Sequence, residues 1–79
     1  MRKITFAQLT RLLTKLGFVQ RRTRSHVIFR LPDQNVIVTL PVTRATAVVP
    51  AYQMVAVRRA LLTAQLIEEG QFEEMLARL

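Results

Sequence analysis

At 79 residues, with a formal net charge of +7 and no cysteine, the chain has room for one modest core and none for a disulfide framework or thiolate metal site. Its single histidine excludes a multi-histidine metal cage, and an apolar fraction of 51% favours a folded domain over disorder. No apolar run approaches the ~18 residues of a membrane span, and Met1-Arg2-Lys3 leads into a helical pattern rather than an apolar leader, so a single cytoplasmic domain over residues 1–79 is expected.

Thr5, with Gln8 three residues on, fits a capping box. Leu9, Leu12, Leu13 and Leu16 then recur at the spacing of one helix face, and Gly17 stands where a helix stops, which predicts a helix over 6–16. Three strands follow, at 18–22, 26–30 and 36–40. The polar turn Thr23-Arg24-Ser25 separates the first two, and Pro32-Asp33-Gln34-Asn35 separates the second from the third, which Pro41 ends. Connections this short allow only hairpins, so the strands form an antiparallel meander. Residues 41–50 are a connector with proline at each end, and its Val48-Val49 pair is expected to pack against the body. Pro50 suits the first turn of a helix over 51–66. Glu68-Glu69-Gly70 breaks that pattern, and Phe72, Met75, Leu76 and Leu79 mark a short last helix over 71–78.

The order α-β-β-β-α-α defines an α+β fold. Burying the stripes of the two longer helices and one apolar sheet face places both helices on one side of a three-stranded antiparallel sheet. The other sheet face is left to solvent or a partner. Side chains alternate along a strand, so Val27, Phe29 and Leu31 should face the helices while His26, Ile28 and Arg30 face outward.

The charge is concentrated. Residues 1–60 hold eleven basic residues and one acid, while residues 61–79 hold one arginine and four glutamates. Ten of the twelve basic residues are arginine, whose planar fork matches phosphate or carboxylate, so a polyanion or an acidic protein is the expected partner. Arg21, Arg22, Arg24 and Arg30 surround His26 in sequence. An imidazole among guanidinium groups suits RNA transesterification: the imidazole takes the 2′-OH proton and the guanidiniums stabilise the phosphorane. The alternatives are an exposed histidine without a role and a charged edge that discourages strand pairing. With five aromatic residues in all, readout by base stacking is disfavoured. Arg58 falls within the apolar stripe of the second helix, flanked on the wheel by Met54, Val55, Leu61 and Leu62. It either snorkels past the sheet edge or delivers its guanidinium to a carboxylate or phosphate. Glu68, Glu69, Glu73 and Glu74 complement the dipole of the last helix. No cofactor and no metal is implied by any spacing.

The string Gly17-Phe18-x-x-x-Arg22-x-x-Ser25-His26-x-x-Phe29, followed by Pro32-Asp33, a strand and Pro41, resembles the HicA (YcfA-like) toxin family. The resemblance extends over roughly residues 5–66. It implies a fold like that of a double-stranded-RNA-binding domain, a ribosome-independent mRNA interferase activity with His26 at the position of the proposed catalytic histidine, and a HicB antitoxin over that surface. The chain departs from the family pattern in three places. Arg24 stands at the glycine before Ser-His, Val27 stands where many members carry a second histidine, and Ala47-Val48-Val49-Pro50-Ala51-Tyr52 replaces a Lys/Gly-rich lead into the second helix.

The resulting expectation is a HicA-like toxin that binds RNA and cleaves mRNA without metal. His26 is the base, and Arg21, Arg22, Arg24, Arg30 and Arg58 are the RNA contacts. A HicB-like antitoxin is the expected protein partner, with self-association through the open sheet face as a further expectation and no membrane partner. Two other functions fit the same fold: a non-catalytic nucleic-acid-binding module and a protein-interaction subunit.

Overall fold

The computed structural model describes residues 3–79; Met1 and Arg2, part of the N-terminal reading above, lie outside the described residues. Helix α1 (Phe6–Lys15) starts on the anticipated capping box, with both reciprocal bonds formed between Thr5 and Gln8. The two amides that the box leaves over are bonded as well. Phe6 N–H donates to Ala47 O and Ala7 N–H to Ala45 O, each at 3.0 Å, so the connector caps the helix from a distance in sequence. The same connector meets the chain start in an antiparallel bridge, Thr5 to Val48. At the other end Gly17 takes φ 102°. Gly17 N–H donates to Thr14 O and Phe18 N–H to Leu13 O, which is a Schellman closure. Phe18 therefore belongs to the helix stop and not to the first strand, as its position in the core confirms.

The strands are β1 (Val19–Arg22), β2 (His26–Leu31) and β3 (Val36–Pro41), in the order β1-β2-β3 and antiparallel throughout. Phe29 and Leu31 of β2 and Val38 and Leu40 of β3 are buried, with Val27 half-buried beside them. They share one core with Leu9, Leu12 and Leu13 of α1 and with Met54, Val57 and Leu61 of α2 (Ala51–Thr63), so both helices cover the same sheet face. Phe72 and Leu76 of α3 (Gln71–Ala77) complete that core. This is the anticipated α+β arrangement.

Helix α2 stops at Thr63, three residues before the expected end at Leu66. Gln65 takes a left-handed φ of 60°, with Gln65 N–H bonded to Leu62 O and Leu66 N–H to Leu61 O. This is a second Schellman closure with glutamine in the position usually held by glycine, so no glycine marks the stop in the sequence. In the connector Val49 is buried, but Val48 is half exposed. The bridge to Thr5 holds the Val48 backbone and leaves its side chain outside. Among the described residues no helix is long and apolar enough to cross a membrane.

Candidate functional site

The strand register lays out the open face in rows. Val19, Arg30 and Ile37 lie side by side, then Arg21, Ile28 and Thr39, then His26 and Pro41. The central strand thus carries His26, Ile28 and Arg30 along its outer surface, as the alternation requires. His26 and Arg30 are exposed, and Ile28 is half-buried between its neighbours. Four residues at about 3.3 Å each separate His26 from Arg30 by roughly 13 Å, which is too far for one phosphate and suited to successive ones. Arg21 is nearer, opposite Ile28 on β1. Arg24 sits in the three-residue loop between β1 and β2, directly before the Ser25-His26 pair.

That loop holds the histidine. Thr23 N–H donates to His26 O at 2.8 Å, and His26 N–H donates to the Thr23 hydroxyl at 3.0 Å. Ser25 O accepts from Val42 N–H, tying the loop to the end of β3. With the backbone fixed on both sides, the Ser25 hydroxyl lies 2.9 Å from His26 Nδ1. If Nδ1 carries the proton and donates to Ser25 Oγ, Nε2 presents its lone pair to solvent as a base. Ser25 is thus the orienting group for the imidazole. Its role was not read from the sequence, because adjacent residues on a strand point to opposite faces, and only the loop conformation turns Ser25 toward its neighbour.

Not every anticipated arginine reaches this face. Arg22 is opposite Val27, so it lies on the helix side of β1. There it lines a shallow groove with Phe6, Thr10, Val42 and Arg44, whose guanidinium no local pattern in the sequence marks. Arg58 is engaged elsewhere. Its Nη2 lies 3.1 Å from Glu69 Oε1 and its Nε 3.3 Å from Glu73 Oε2. Val55 proves exposed, and the buried stripe of α2 runs through Met54, Val57 and Leu61. Arg58 therefore sits at the margin of the stripe, where it meets the acids at the start of α3. Among the described residues these are the only ion pairs, so Arg21, Arg24 and Arg30 have no carboxylate partner.

A meander covered on one face by helices, with an imidazole and unpaired guanidiniums on the other, defines a small basic α+β domain. The family model described as HicA toxin of bacterial toxin-antitoxin matches residues 6–48, more than half of the chain. The chain belongs to the HicA toxin family, whose members are the toxins of toxin–antitoxin pairs. The match takes in α1, the whole sheet and most of the connector, and it ends before α2, short of the residue 66 anticipated from the sequence. No curated protein and no solved structure matches the chain.

Proposed function

We propose that this HicA-type toxin is a cytoplasmic, metal-independent mRNA endoribonuclease held in check by a HicB-like antitoxin. The observation that carries the reading is the imidazole of His26, exposed on the central strand with Nδ1 beside Ser25 Oγ and with arginines free of carboxylates around it. His26 Nε2 accepts the 2′-OH proton of a bound ribose. The 2′-oxygen forms its bond to phosphorus, the bond from phosphorus to the 5′-oxygen breaks, and the leaving oxygen takes a proton from water. The products are a 2′,3′-cyclic phosphate and a free 5′-OH. Arg21 and Arg24 stabilise the charge on the phosphorane. Arg30 holds a neighbouring phosphate. Arg22, on the other side of β1, and Arg58, bound by Glu69 and Glu73, stand apart from this contact set.

The test is cleavage of single-stranded RNA by the purified chain in excess EDTA, beside His26→Ala. The reading requires cyclic-phosphate ends from the wild type and none from the variant, with RNA binding retained by both. Activity that survives the substitution, or that EDTA abolishes, overturns it. A wild type that binds RNA without cutting it leaves the binding-module function, with Arg24 and Val27 as the departures that removed catalysis.

A further inference from the structure

The two edges of the sheet differ in kind. β1 carries Arg21 and Arg22, the sort of charge that keeps an edge from pairing. β3 reads Val36-Ile37-Val38-Thr39-Leu40-Pro41, with no charge, and no strand lies on its outer side among the described residues. The ladder fixes which groups that side presents. Val42 N–H bonds to Ser25 O, directly before the His26–Pro41 pair, so the alternate residues 36, 38 and 40 turn their amides toward β2. The N–H and C=O of Ile37 and Thr39 therefore point outward. Pro41 occupies the next outward position, where its missing N–H costs the ladder nothing and ends the exposed edge.

The surface beside this edge is apolar too. Helix α2 packs against β3, and Ala56 and Ala60 line the crevice between them together with Ile37, Thr39 and Gln53. The same two alanines belong to a second shallow groove on the outside of α2, formed with Tyr52, Val55 and Arg59. Tyr52 is 73% exposed, Ile37 55% and Val55 45%. Gln53 Oε1 is buried in the crevice and has no hydrogen-bond partner, an acceptor left without a donor.

We infer that the β3 edge and the outer face of α2 form one surface on which two copies of this chain pair about a two-fold axis. The edge is self-complementary. Antiparallel pairing centred on Val38 sets the Ile37 groups against Thr39 of the second copy, and the reverse, which makes four main-chain hydrogen bonds and joins two sheets into one of six strands. Both α2 helices then lie on the same side of that sheet, and the small side chains Ala56 and Ala60 let their exposed stripes approach. Charge selects this surface. Copies of net charge +7 meeting on the open face or at β1 would oppose several arginines to arginines, whereas β3 brings no charge to the contact and the α2 groove brings Arg59 alone. The inference does not depend on catalysis, and it places the self-association anticipated from sequence at the sheet edge, leaving the face of His26 clear.

Sedimentation of the full chain over a concentration series tests the inference, with amide exchange measured in parallel. Expected are twice the monomer mass at high concentration and protection of the Ile37 and Thr39 amides that grows with concentration, with none gained at Gln20 or Arg22. Ile37→Lys and Ala56→Arg, two exposed positions outside the core, should each halve the mass while the circular dichroism stays that of the wild type. If one variant fails to fold, the other and the wild-type exchange pattern still decide. A chain that is monomeric at the highest attainable concentration overturns the inference, as does a dimer that survives both substitutions. Protection of Ile37 and Thr39 only after a different polypeptide is added would also overturn it, assigning the edge to a foreign strand.

Discussion

Ser25 Oγ lies 2.9 Å from His26 Nδ1, and nothing else in the described structure fixes the imidazole ring. A single hydrogen bond of this kind is worth about 0.5–1.5 kcal/mol. Ser25→Ala should therefore slow RNA cleavage by roughly 3–10-fold, since 1.4 kcal/mol is about tenfold in rate, while His26→Ala abolishes it. Ser25→Thr, which keeps the hydroxyl, should recover most of the loss. Initial rates of the three variants on one RNA decide the point, and an inactive Ser25→Ala with a folded chain would give Ser25 a larger role than orientation.

Phe29 and His26 are three residues apart on one strand and face opposite ways. Phe29 is 1% exposed, in the centre of the core. Phe29→Ala should cost ~3–5 kcal/mol through the cavity it leaves. His26→Ala should change stability by less than about 0.5 kcal/mol, as an exposed substitution does. Urea titrations of the two variants measure the difference, and equal destabilisation would contradict the strand register.

RNA affinity should weaken with salt, because phosphate contacts release counterions. Three arginines, Arg21, Arg24 and Arg30, each on one phosphate of a single strand, give a log–log slope of about −2. Removing any one of them should lower the steepness by about 0.7. Arg58→Ala should leave both affinity and slope nearly unchanged, and its loss of an exposed ion pair should cost no more than ~1 kcal/mol of stability. A filter-binding or fluorescence series across salt concentrations reads all four variants.

Gln65 holds a backbone conformation that costs an L-residue about 1–2 kcal/mol and a glycine little. Gln65→Gly should raise stability, by up to about 1 kcal/mol once the greater freedom of glycine in the unfolded chain is counted. Thermal unfolding should show a higher midpoint. A lower one would mean that the Gln65 side chain contributes contacts outweighing its strain.

Much of this fold is written in short-range signals. The Thr5–Gln8 box, the leucine stripe and Gly17 define α1 because each acts within one or two turns. The face of His26 follows from period two alone. What escaped depended on bonds that skip along the chain or on the exact register. Phe18 has a strand-like side chain, but its amide closes the helix behind it. Leu66 continues the helical pattern, yet the stop is made by a glutamine that carries no stop signal. Arg22 follows Arg21 in sequence and faces the other way, so four arginines close in sequence become Arg21 and Arg30 on the open face, Arg22 on the helix side and Arg24 in the loop. The destination of Arg58 needed the position of α3, which no local pattern gives.

The bonds that tie Ile4, Phe6 and Ala7 to the connector make a closed circuit of residues 4–49, start bound to finish, and the family match, over residues 6–48, lies within it. Everything the imidazole needs, from loop to sheet to helix cap, lies inside the ring. The two later helices supply core from outside it, through Met54, Val57, Leu61, Phe72 and Leu76. Their outward surfaces are therefore free to diverge: the exposed side of α2 can be rewritten, and with it the choice of neighbour, without touching the face that carries His26.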